Sequence, residues 1–165
     1  MDKNEILTLI QFNFWANGRI LEACDRISAE KRTRKLNPDP GWGDLLSILV
    51  HILDTEYGWR SLLQSQSAEI ILDAADFEDL TQLRTRWEME RSSWLAYANL
   101  LSQERINQGF GPDPDNGLKV WQTIMHVLGH GIQHRSEAAA ILTGYGQSPG
   151  ELDFGVFLKE KPANI

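Results

Sequence analysis

The chain has 165 residues, of which 42% are hydrophobic and 24% charged, and carries a net charge of -7. That length suits one domain over residues 1–165 with a sizeable core, and the balance excludes an intrinsically disordered chain. The negative charge argues against nucleic acid or an anionic membrane surface as the partner.

From Lys3 to about Ile27, the residues Ile6, Leu9, Ile10, Phe14, Ile20, Leu21 and Cys24 recur with a helical period and predict a first amphipathic helix. Met1-Asp2-Lys3-Asn4-Glu5 lacks the charged-then-apolar pattern of a signal segment. Cys24, the single cysteine, lies beside the apolar positions of that helix. It reads as a core thiol and fits a reducing compartment. The basic group Lys31-Arg32-Thr33-Arg34-Lys35 falls where the helix should be ending, a favourable place for cations.

Asn37-Pro38-Asp39-Pro40-Gly41-Trp42-Gly43 must be a loop, since its prolines and glycines cannot stay in a helix. Asp44 then serves as N-cap of a second helix running to roughly Gln64 through Leu45, Leu46, Leu49, Ile52, Leu53, Glu56, Trp59 and Leu63. Its apolar run is too short to span a bilayer, and a cytoplasmic protein is expected. Residues 65–78 carry a weaker signal: Ile70-Ile71-Leu72 suits a short extended piece or a turn, and Asp76 or Asp79 can start the next helix. A third helix covers Leu80 to Leu101, with Leu83, Trp87, Trp94, Leu95 and Leu101 inward. Residues 109–117 form a second Gly/Pro/Asp loop. A fourth helix runs from about Leu118 to Leu142 or Thr143 and stops at Gly144. The tail carries Leu152, Phe154, Val156 and Phe157, enough to pin it onto the rest. Four such helices without strand-like alternation predict an all-α four-helix bundle. The long loops permit a crossover as readily as a simple turn, so periodicity leaves the connectivity open.

Three of the four histidines, His126, His130 and His134, lie one helical turn apart on the fourth helix, and His51 lies on the second. Residues spaced by four drift only about 40° per step around a helix, so these imidazoles can share a face. Two histidines one turn apart plus a third from a neighbouring helix can hold a divalent ion and leave a coordination position open, the pattern of a catalytic site. The helical wheel separates the two candidate pairs. Measured from the apolar direction, His134 lies about 50° away, His130 about 90° and His126 about 130°, so the inner pair is His130/His134. Glu137 shares the face of His130, and Asp54 follows His51 by one turn; either could orient an imidazole, and Glu137 could bind metal itself. The bland alternative is that these are half-buried polar residues with hydrogen-bond partners. Other metal patterns fail: Val127 and Gly131 follow His126 and His130 where a zincin needs Glu, and no histidine has Glu three residues before it as carboxylate-bridged di-iron bundles require.

Three segments together resemble the DinB-like bundle family, which includes bacterial low-molecular-weight-thiol transferases. They are Phe14-Trp15-Ala16-Asn17-Gly18-Arg19-Ile20-Leu21, then Leu45 to Leu53 with Trp59, and His130-Gly131-Ile132-Gln133-His134-Arg135. The resemblance implies an up-down-down-up bundle, commonly a homodimer, and a metal held by His51, His130 and His134. In one place the chain departs from the family pattern: Ser136-Glu137 stands where Gly-Gln is usual.

Two functions follow as expectations. The first is a metal-dependent transferase or hydrolase, using one divalent ion (zinc, nickel or manganese) and a low-molecular-weight thiol or other small-molecule substrate. Glu137 or Asp54 would be its base or orienting group, and Arg135 an anion contact, or more simply an ion-pair partner. The second is a metal-stapled binding or stress-responsive protein without turnover. Trp15, Trp59, Trp87 and Trp94 default to the core, whereas Trp42 and Trp121 lie near helix starts and could line a pocket mouth.

Overall fold

The computed structural model describes residues 1–66, 71–111, 113, 115 and 117–160, and every regular element among them is helical. The four long helices are α1 (Lys3–Asp25), α3 (Leu45–Leu63), α4 (Leu80–Leu100) and α6 (Val120–Gly144). Three short ones, α2 (Ala29–Arg32), α5 (Gln103–Ile106) and α7 (Phe154–Glu160), lie in the connections and the tail. The boundaries follow from capping chemistry. Asp2, Asp44 and Asp79 each accept a backbone N–H of the first turn that has no partner inside its helix, and so fix the starts of α1, α3 and α4.

Two expected boundaries shift. The first helix stops at Asp25 because Ser28 caps the new turn α2, and Arg32 Nη1 reaches back to the Cys24 and Ile27 carbonyls at 2.9 and 2.8 Å. A cation therefore does sit at the end of the first helix. The fourth helix starts at Val120, since Lys119 is extended and pairs with Gly109. Leu72 precedes a single 3₁₀ turn, Ala74–Asp76; Ile70 lies outside the described residues.

The helices pack as a bundle in which α1 rests on α4 and α6, and α3 on the same two. End contacts give the directions. Asp25 at the end of α1 pairs with Arg84 at the start of α4, while Met1 meets Gln103 just beyond the end of α4, so those helices are antiparallel. Arg26 reaches Gln147, which makes α1 and α6 parallel, and the His51/His130 and Trp59/His126 contacts make α3 and α6 antiparallel. One apolar cluster draws on all four helices, including Ile6, Ile20, Leu49, Leu53, Leu83, Trp87, Ile124 and Leu142. The tail packs as expected: Phe154 and Phe157 of α7 close over Phe12 and Trp15 of α1. Among the described residues no helix is long and apolar enough to cross a membrane.

Candidate metal centre

The antiparallel contact of α3 and α6 brings His51 against the face of α6 that carries His130 and His134. One ring nitrogen from each lies within 4.8 Å of the others. His51 Nε2 and His130 Nε2 are 2.8 Å apart, and the His134 ring stands edge-on to both. His134 is buried, while His51 and His130 are half-buried. His126, the outermost histidine on the wheel, is exposed and packs edge-on against Trp59, outside the cluster.

Burial and the neighbouring imidazoles favour the neutral forms of His51 and His130. Desolvation, with His134 next, lowers the pKa of His51; desolvation, then His134 and His51, takes His130 down to about 4. His134 Nδ1 lies 2.8 Å from Glu137 Oε2. A carboxylate only accepts, so Nδ1 carries a proton, and in the neutral ring Nε2 is the nitrogen left with a lone pair for a metal. Glu137 thus orients a histidine as expected, but the histidine is its neighbour His134. Ser136 turns outward and bonds the Ile132 carbonyl.

Asp54 Oδ1 accepts the Leu72 backbone N–H at 2.8 Å and pins the segment entering the 3₁₀ turn, while its charge acts on His51 against the effect of burial. Trp42 does reach the site, stacked on His51 with centroids 3.7 Å apart and edge-on to His134. The loop chemistry puts it there. Asp39 Oδ1 accepts the N–H groups of Gly41, Trp42 and Gly43, and the two glycines take φ of +114° and +82°, a region other residues avoid. Trp121 instead packs against the main core.

A cavity of about 320 Å³ opens beside His51, lined also by Trp42, Val50, Asp54 and Leu72. A second cleft, of about 280 Å³, runs between the 36–40 loop and Glu137. A groove of about 490 Å³ between α1, α4 and α7 contains none of the histidines.

Arg135 corrects the expectation of an ion pair or anion contact: it is 2% exposed and bonded to the side chains of Asn13 and Asn17. Sequence reasoning gave Asn13 no role and treated Glu56 only as an inward-facing position. An asparagine pair at i, i+4 on an otherwise apolar face was the signal available.

The donor set fits a divalent ion. Three imidazoles, one with its Nδ1 proton held by a carboxylate so that Nε2 is the nitrogen left for metal, are what such an ion selects. A tetrahedral site with metal–nitrogen bonds of about 2.0–2.1 Å keeps its nitrogens about 3.3 Å apart, between the 2.8 Å of the His51–His130 pair and the 4.8 Å that bounds the set.

The DinB family model matches residues 1–163. Protein DinB of Bacillus subtilis (strain 168) is 23% identical over 159 residues, covering 91% of this chain and 91% of that protein.

Proposed function

The chain belongs to the DinB family, and from that premise we propose that it binds one divalent ion through His51, His130 and His134 and acts as a metal-dependent transferase or hydrolase. The observation that carries this reading is the convergence of three imidazole nitrogens within 4.8 Å, beside a cavity large enough for a small substrate. Zinc, nickel and manganese are the candidate ions. A low-molecular-weight thiol is the candidate co-substrate, and the acting unit is a cytoplasmic homodimer. When bound, the ion supplies Lewis-acid polarisation and lowers the pKa of a thiol or water.

The chain's own residues do the rest. Glu137 fixes the His134 tautomer, and its second oxygen is the candidate acceptor for a substrate proton. Asp54 holds the Leu72 segment that walls the cavity. Trp42 covers one face of His51 and restricts water on that side. Glu137 Oε2 is engaged at His134 Nδ1, the side of the ring away from Nε2, which favours an open coordination position over a site closed by a fourth protein ligand.

Elemental analysis of the untagged protein tests the site. About one divalent ion per chain is expected, lost in His51→Ala and in His134→Ala and retained in His126→Ala. Unchanged metal content in the His134 variant would sink the proposal. Metal-loaded and chelator-treated protein are then compared in thiol-transfer and hydrolysis assays. Stoichiometric metal without turnover in any of them would leave the metal as a structural staple.

A further inference from the structure

Arg135 follows His134 directly on α6, and its side chain turns into the bundle interior. Its Nη1 donates to Asn13 Oδ1 at 2.7 Å and to Asn17 Oδ1 at 2.8 Å. The amide nitrogens of both asparagines donate to a single oxygen, Glu56 Oε1. Glu56 Oε2 accepts from Trp87 Nε1 at 2.6 Å, and the Glu56 carbonyl accepts from Trp94 Nε1 at 3.1 Å. One continuous series of hydrogen bonds therefore runs from α6 through α1 to α3 and on to α4.

The ends of the series orient its middle. Both amides present oxygen to the cation and NH₂ to the carboxylate, and reversing either would set N–H against guanidinium. Arg135 and Glu56 are almost fully buried, so these partners are the ones they have, and a buried charge without partners is costly. Networks of this kind, here satisfied except at Arg135 Nη2, favour one arrangement of the helices that carry them.

A second observation points to the same contact. Gly131 lies between His130 and His134, and a Cβ there would stand 2.6 Å from Arg135 Nη1 and 2.9 Å from Asn13 Oδ1. The bare backbone at Gly131 is what lets α1 and the guanidinium sit this close to α6. Glu56 is five residues beyond His51 on α3, so the series grips both histidine-bearing helices next to the cluster.

We propose that Asn13, Asn17, Glu56 and Arg135, seated against Gly131, are positioning residues that set the rotation of α6 over α3 and so bring His130 and His134 onto His51. The functional meaning rests on the metal reading above, but the geometry is testable without metal. Asn17→Ala cuts one strand of the network. Gly131→Ala displaces the guanidinium while otherwise favouring the helix, so a weaker helix cannot explain its effect. Leu83→Ala, in the fully buried core of α4 and outside the network, is the control for a general loss of stability.

The imidazole ¹⁵N resonances of the full chain, stripped of metal by chelator dialysis, report the His51–His130 hydrogen bond. In Asn17→Ala and Gly131→Ala the Nε2 resonances of His51 and His130 should move toward those of free imidazole. In Leu83→Ala they should stay, and His126 should stay in all three. Zinc affinity, read by competition with a chromophoric chelator, should fall at least 10-fold in the first two variants and not in the control. Resonances and zinc affinities that match those of Leu83→Ala would overturn the proposal. A wild type that takes up none of zinc, nickel and manganese would overturn the metal reading instead, with the resonance comparison still deciding the positioning role.

Discussion

At His134 the tautomer is decided by a neighbour, since the Glu137 carboxylate can take only the proton on Nδ1. Glu137→Ala should weaken metal binding by roughly 10- to 100-fold, the usual cost of losing a partner to a metal-binding histidine. Glu137→Gln keeps an accepting oxygen and should lose much less; chelator competition on both variants checks this. Cys24 is an inert residue by the same kind of reasoning. Burial pushes its thiol up to about 12, against the smaller opposing effect of Arg32. With so little thiolate it should ignore an aromatic disulfide reagent in the native protein and react fully in denaturant.

At the level of elements, caps and one buried ion pair decide how α3 is held. Asp44 accepts the Ser47 N–H at 2.8 Å, so Asp44→Ala should lower stability by about 0.5–2 kcal/mol in urea unfolding. At the other end of α3, Arg60 forks onto the fully buried Glu90 of α4 through Nε and Nη2. Arg60→Ala leaves that carboxylate, among the described residues, with Arg86 at 3.4 Å, and should cost about 3 kcal/mol in the same assay. The tail helix is held differently, by the aromatic contacts of Phe154 and Phe157 and by Arg19 bonded to both oxygens of Glu160. Its short sequence gives it no stability alone, and only packing on α1 makes it a helix.

Across the whole molecule, the Glu56 carboxyl couples folding to pH. Burial raises it to about 7 from 4.5, outweighing the hydrogen bonds from Asn17, Trp87 and Asn13 that favour the ionised form. Between those values the folded chain holds a proton that the unfolded chain has released. Stability must then fall as pH rises through the window, by about 3 kcal/mol from this group alone. Subtracting the unfolding free energy of Glu56→Gln from that of the wild type at pH 5 and pH 8 isolates the term. A difference that does not decrease with pH would show Glu56 ionised throughout.

The four long helices, the N-cap at Asp44, the 37–43 loop and the candidate histidines were legible in the sequence, because each depends on residues within one or two turns of each other; the choice of Asp79 over Asp76 as the cap of α4 was not. Local spacing also separated His126 from His130 and His134, since a wheel needs only the helix's own apolar direction. Tertiary structure alone decided the rest. Which residue Glu137 orients, that Asp54 takes the Leu72 N–H, and how Trp42 comes to lie on His51 all depend on where α3, α6 and the 37–43 loop meet. The Asn13–Asn17–Glu56–Arg135 series was hidden for the same reason. Polar residues scattered over three helices look unrelated until packing removes water and leaves them only one another as partners.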